Sequence, residues 1–207
     1  MTTNRIYVFK RFERFWHWAQ AALIVFMLLT GFEVHGSYSV FGFRRAVALH
    51  TTAAWTLIGL WVFAIFWHLT TGEWRQYIPT VEKVGAMIRY YLTGIFENAP
   101  HPFRATTLRK HNPLQRLAYL FVLVVIGPLI WTTGWFYLFY DQWQAWGLAG
   151  LLSLKWVAFF HVLAAFMMLV FLIAHVYLGS AGHTPTAHFK AMVTGWEEVD
   201  GEDAATT

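Results

Sequence analysis

The chain has 207 residues, is 57% hydrophobic and only 13% charged, and carries a formal net charge of +4. That leaves too little polar surface for a soluble domain of this length and points to one membrane domain, in which a modest positive charge is no nucleic-acid footprint. The absence of cysteine excludes disulfides, thiolate-ligated haem, Cys-ligated iron–sulfur clusters and covalent C-x-x-C-H haem attachment, so any bound metal depends on histidine or carboxylate.

Four segments are long and apolar enough to cross a bilayer as helices, the spanning form that satisfies the backbone internally. The first is predicted from about Phe15 to Phe32; its start is basic, but its long apolar run lacks an A-x-A cleavage pattern, so it reads as a retained span. The second runs from about Ala46 to Leu69. In the long segment after it, Val81, Val84, Ile88, Tyr91, Leu92 and Ile95 recur at helical spacing, the pattern of an amphipathic helix lying on the membrane surface or against a partner protein. The third span runs from about Leu114 to Tyr140, with a kink expected at Pro128, and the fourth from about Leu154 to Gly179. The expected organisation is all-α: an integral membrane four-helix bundle over residues 1–196, then a frayed acidic tail from Glu197 to Thr207. The sequence shows no internal repeat. Twelve tryptophans suit interfacial belts.

Lysine and arginine placement sets the expected orientation. Arg5, Lys10, Arg11 and Arg14 precede the first span; Arg75, Lys83, Arg89, Arg104, Arg109 and Lys110 lie between the second and third. The opposite side has only Arg44, Arg45 and Lys155. Both termini are therefore expected on the cytoplasmic side of a bacterial inner membrane.

Topology then sorts the histidines. His161 and His175 are fourteen residues apart in the fourth span, nearly four turns, so they share a face about 21 Å apart along the axis. Against a hydrocarbon core about 30 Å thick, one sits near each side. Intramembrane ionisable groups are costly and mark function. His50 falls at the outer level with His161, and His17 at the inner level with His175. Two pairs at two levels suit two b-type haems with two imidazole ligands each. His68, eighteen residues after His50, shares its face and competes with His17 for the inner level. Gly31, Gly127 and Gly134 either admit a flat macrocycle or simply let helices pack closely. His35, His101, His111, His183 and His188 fall in loops or the tail.

With these elements in view, the chain resembles the cytochrome b subunits of respiratory formate dehydrogenase, nickel–iron hydrogenase and thiosulfate reductase-type complexes, a branch of the bacterial cytochrome b561-like proteins. The resemblance runs over nearly the whole chain: RFERFWHWAQAALIVFMLLTG, LHTTAAW, FWHLTTGEWRQYIPT, RKHNPLQRLAYL and FFHVLAAFMMLVFLIAHVYLG. It implies two haem b groups, the inner on His17 and His175 and the outer on His50 and His161, with His68 no ligand. It also implies a quinone site at His111, Asn112 and Pro113, where Asn112 would hydrogen-bond a quinone carbonyl and His111 would help transfer protons; an ordinary Asn-Pro turn before a helix is the competing reading. Menaquinone or ubiquinone would be the substrate. An iron–sulfur subunit and a catalytic oxidoreductase subunit would be the partners. Arg44 or Arg45 outside, and Arg11, Arg14 or Arg109 inside, are candidate partners for haem propionates. Two rivals use the same histidines differently: a stand-alone b561-type oxidoreductase, for example from superoxide to quinone, and a haem-free transporter or assembly factor.

Overall fold

The computed structural model describes residues 3–97, 99–100, 102–103, 110–180 and 186–200. Four helices are long and apolar enough to cross a membrane: Arg11–Val34, Phe43–Thr71, Pro113–Leu138 and Leu154–Gly179. The first two extend the predicted spans by a few residues at each end, the third is shifted slightly toward the N-terminus, and the fourth coincides with its prediction. Their surfaces are largely apolar and uncovered, as at Val62, Phe63 and Phe66 of the second and Val170 and Ile173 of the fourth, which suits lipid rather than water. The chain divides into two compact units: Met1–Ile78 with Ala105–Lys110 and Gly179–Thr207, and Pro79–Arg104 with His111–Leu178.

The first unit is built on α1 (Arg11–Val34) and α2 (Phe43–Thr71), which pack against each other. The buried face of α2 is Ala46, Ala53, Leu57, Ala64 and His68, a 7-4-7-4 spacing that keeps one stripe against α1. Small residues at three of these positions let the backbones approach closely. The turn between the helices is organised by buried Glu33. Its Oε1 accepts the backbone N–H groups of Val40, Phe41 and Gly42 at 2.8, 2.7 and 2.7 Å, placing a carboxylate beside the α2 N-terminus. Gly72, at φ +76°, ends α2 in the left-handed conformation.

A short helix, named α7 after the helices of the second unit given below, spans Ala187–Thr194 and docks its C-terminal end on α1. Two of its last carbonyls would otherwise lack donors. Met192 O accepts from Trp18 Nε1 at 3.2 Å, and Val193 O accepts from Arg14 Nη1 at 2.5 Å. A guanidinium there also opposes the negative end of the helix dipole. The chain then turns at Gly195 (φ +90°), where a Cβ would stand 2.6 Å from the Tyr7 ring and 2.7 Å from Phe9 O. Beyond it β2 (Trp196–Asp200) pairs antiparallel with β1 (Thr3–Tyr7), in register from Tyr7↔Trp196 to Thr3↔Asp200. The all-α membrane bundle expected from the sequence is what the chain forms, with this ribbon as its one addition among the described residues. The ribbon places Glu197–Asp200, expected to be frayed, in a strand whose partner lies at the other end of the sequence. Residues 201–207 lie outside the described residues.

In the second unit, α3 (Val84–Arg89) continues into a π-helical turn, Tyr90–Gly94. The apolar stripe read from the sequence lies largely outward, with Val81, Ile88 and Leu92 exposed, while Met87, off that stripe, is fully buried. An exposed apolar stripe on a short helix suits a membrane surface. The third span is α4 (Pro113–Phe121), a π-helical turn (Val122–Ile126) and α5 (Gly127–Leu138). Pro128 has no N–H for its i−4 carbonyl and its ring crowds that turn. The π turn immediately before it is where the helix adapts, with Gly127 N–H bonded to Val122 O. The fourth span, α6 (Leu154–Gly179), is one unbroken helix.

Candidate cofactor-binding site

His161 and His175 both lie on α6, on the face marked by buried Val157 and Ala164. An unbroken helix fixes their separation at about 21 Å along the axis. The His175 ring is stacked on Phe171, one turn earlier, with centroids 5.7 Å apart and planes 19° apart. That packing leaves the imidazole little rotational freedom. Both histidines are half-buried.

His50 lies on the buried stripe of α2, between Ala46 and Ala53, and faces α1. Its Nδ1 is 3.1 Å from Thr30 Oγ1 and 3.1 Å from Met27 O. A Cβ on Gly31 would stand 3.3 Å from its Cε1. His161 is held alike within the second unit: Nδ1 is 3.0 Å from Thr133 Oγ1, and a Cβ on Gly134 would stand 3.3 Å from its Cε1. Gly31 and Gly134 thus make room for a histidine ring. Gly127 instead relieves the π turn, where a Cβ would be 3.1 Å from Val122 O.

His17, on α1, is half-buried with its Nδ1 shielded from solvent, and the Trp18 ring meets it edge-on at 5.2 Å. His68 is buried among Trp16, Trp67 and Tyr77, whose ring centroids are 5.2, 4.9 and 5.4 Å away. Its Nδ1 lies 2.6 Å from Ala64 O. A carbonyl only accepts, so Nδ1 carries the proton and Nε2 is a bare lone pair. That Nε2 is buried without a hydrogen-bond partner among the described residues, as are Trp16 Nε1 and Gln20 Oε1 on α1. Native structures rarely leave buried polar atoms bare. Tautomer alone leaves His68 as competent a ligand as His50.

Among the described residues no three histidine or carboxylate side chains converge as a bare-metal site requires. The donor set is imidazoles on separate helix faces, two of them seated against glycine. Such a set fits a flat group ligated axially, as b haem is, better than a naked cation.

His111 and Asn112 are buried at the start of α4. Asn112 is a helix N-cap: Oδ1 accepts from Gln115 N at 2.8 Å, Gln115 Oε1 accepts from Asn112 N at 2.9 Å, and Pro113 takes the first helical position. The Asn-Pro turn reading is therefore realised. The amide is not used up by it, because Nδ2 donates to Tyr91 Oη at 3.3 Å and retains a second N–H. Burial raises the Tyr91 hydroxyl above the usual phenol range, which keeps it protonated. The His111 ring meets Tyr119 edge-on at 5.1 Å.

Of the cations considered for propionates, Arg14 donates to Val193 O at the end of α7 through one of its N–H groups. Arg11, Arg44 and Arg45 are exposed. Arg109 lies outside the described residues, as do His101 and His183. Lys110, in the sequence one of the cations that set the orientation, is 4% exposed in its side chain and bonds Glu13 at 2.8 Å and Glu73 at 2.9 Å. Lys10 reaches Glu73 at 2.6 Å.

Comparison with known proteins shows the family. A family profile described as prokaryotic cytochrome b561 matches residues 8–195. The chain is 32% identical over 201 residues, 93% of its length, to a protein of Escherichia coli (strain K12) named "Putative cytochrome YdhU", of which the match covers 75%. No solved structure matches the chain.

Proposed function

Because the chain belongs to the prokaryotic cytochrome b561 family and is a membrane cytochrome b, a carrier of electrons, we propose that it is the dihaem subunit of a respiratory complex, linking an iron–sulfur partner subunit to the quinone pool. The observation that carries this reading is α6, with two half-buried histidines fourteen residues apart on one face of an unbroken spanning helix. His50 and His161 are assigned to the haem near the outer side, His17 and His175 to the haem near the cytoplasmic side. Haems held there would supply the one-electron chemistry. The residues themselves hold and orient: Thr30 and Gly31 seat His50, Thr133 and Gly134 seat His161, and Phe171 stacks on His175. Lipid-facing walls keep water from the histidines. Both termini are assigned to the cytoplasm, where Asn112 offers its second amide N–H to a quinone carbonyl and His111 exchanges the proton. A pyridine haemochrome assay should give about two b haems per chain, one per histidine pair; a colourless protein would sink the reading. Co-purification of an iron–sulfur subunit is expected, and its absence would favour a stand-alone oxidoreductase.

The two uses of Asn112 separate cleanly. Asn112→Asp keeps the cap, since Asp caps as well as Asn, while Asn112→Ala loses about 1 kcal/mol of it. Only the amide donates. Quinol-linked haem reduction is therefore expected to slow in both variants, with thermal stability lowered in the alanine variant alone. If Asn112→Asp reduces its haems at the wild-type rate, Asn112 is a cap and nothing more.

A further inference from the structure

The two hairpins of spanning helices, far apart in sequence, carry the same arrangement. Thr30 and Gly31 of α1 face His50, seven residues after Phe43, the first residue of α2. Thr133 and Gly134 of α5 face His161, seven residues after Leu154, the first residue of α6.

The hydrogen bonds point to the nitrogen that carries the proton. A threonine hydroxyl has one proton, and here it is engaged along its own helix. Thr30 Oγ1 donates toward Phe26 O at 2.9 Å, with Met27 O at 3.3 Å; Thr133 Oγ1 donates toward Leu129 O at 2.6 Å, with Ile130 O at 3.2 Å. The face of each hydroxyl turned to the histidine is therefore a lone pair, and histidine Nδ1–H donates to it. For His50 the carbonyl of Met27 at 3.1 Å requires the same tautomer. Nε2 is left in both rings as the atom able to bind a metal. The glycine adds a steric constraint on the same edge: its missing Cβ would stand 3.3 Å from Cε1 and 3.6 Å (Gly31) or 3.8 Å (Gly134) from Nδ1. Threonine and glycine together fix the tautomer and the tilt of the ring.

We infer that Thr30–Gly31 and Thr133–Gly134 are matched positioning pairs, one in each unit, that fix the Nδ1–H tautomer and the tilt of His50 and of His161 and so set the potential of the haem that these histidines would hold. This rests on the reading proposed above that His50 and His161 are ligands of the same haem. A hydrogen bond accepted from Nδ1–H raises the basicity of the imidazole. A more basic ligand favours the ferric state, so both threonines lower the potential of that haem.

The test uses the full-length holoprotein. Thr30→Val and Thr133→Val keep side-chain shape and remove the oxygen; Thr30→Ser and Thr133→Ser keep the oxygen. Haem content is read by pyridine haemochrome, and each haem by redox titration followed by low-spin EPR. Each valine variant is expected to move the midpoint of the same one haem upward, the double variant to move it further, and serine to restore it. Loss of that haem in the valine variants with retention in the serine ones supports the same conclusion. The inference is overturned if the valine variants leave both potentials unchanged, move different haems, or are matched by their serine counterparts. Gly31→Ala and Gly134→Ala should alter the EPR signal of that same haem, and an unaltered signal removes the glycines from the device. Failure of the underlying reading looks different: His50→Ala and His161→Ala would then keep full haem content.

Discussion

His161→Ala and His175→Ala are each expected to lower the haem-to-protein ratio from about two to about one, with a different haem lost in each. Both side chains leave one helix, yet roughly 21 Å separates them along its axis, so neither truncation disturbs the packing around the other. The residual haem should keep its low-spin bis-imidazole spectrum. His17→Ala should match His175→Ala in the haem that it loses, and His50→Ala should match His161→Ala. His68 supplies the sharpest control. It is buried, its Nε2 is a bare lone pair, and it shares the α2 stripe with His50, so chemistry alone makes it competent. Under the assignment proposed, His68→Ala retains both haems. If it instead loses the haem that His175→Ala loses, and His17→Ala does not, then His68 is the ligand and His17 a neighbour. Full haem in both α6 variants would remove the dihaem reading altogether.

How much of this was legible in the sequence depended on how local each signal is. The four spans are set by hydropathy and by the backbone's need for internal hydrogen bonds, and both act within one segment. Spacing likewise puts His161 with His175, and His50 with His68, on common helix faces. The Asn112 turn was readable as well, since Asn-Pro with Gln115 three residues on is a capping box. Contacts between distant segments left no such trace. The ribbon pairs Thr3–Tyr7 with Trp196–Asp200, and an acidic, small-residue tail reads as frayed when its partner strand lies at the opposite terminus. Arg14, read as a candidate for an anionic group, also caps the Val193 carbonyl of α7, a contact the sequence does not announce. The Thr-Gly pairs stand in plain view as LLTGF and WTTGW. The turns that follow them differ in length, from Val34 to Phe43 in one hairpin and from Leu138 to Leu154 in the other, so no fixed period appears. Only the position of each histidine within its helix reveals the correspondence.

Lys110→Met is expected to destabilise the protein by about 3–5 kcal/mol, the scale for removing one partner of a buried ion pair. Lys110 and Glu13 are nearly solvent-free, with side chains 4% and 5% exposed and Nζ within 2.8 and 2.9 Å of the two carboxylate oxygens. Glu13 also closes the first turn of α1, accepting Lys10 N at 2.7 Å. Without Lys110 its charge would remain buried, with that N–H as its remaining hydrogen bond among the described residues. Pairing the change with Glu13→Gln removes the orphaned charge, so the double variant should recover most of the loss, measured by thermal unfolding in detergent. A double variant no more stable than Lys110→Met would mean that packing, not charge, is what Lys110 contributes. Glu73 gives the cluster its pH dependence. Burial raises its carboxyl, but hydrogen bonds from Lys10 and Lys110 outweigh that and hold it below the usual carboxylate range. A depressed folded-state pKa contributes stability above the unfolded value of 4.5 and loses it as pH falls through the lower folded value. Lys10 closes the window from the other side. Its hydrogen bond to Glu73 outweighs the lowering by burial and raises it above 10.5, so its contribution is full below that pH and fades only as pH rises through the higher folded value. Thermal stability should therefore be flat through neutrality and fall on acidification. In Glu73→Gln the part of that acid slope due to Glu73 should vanish, and an unchanged slope would place the acid sensitivity elsewhere.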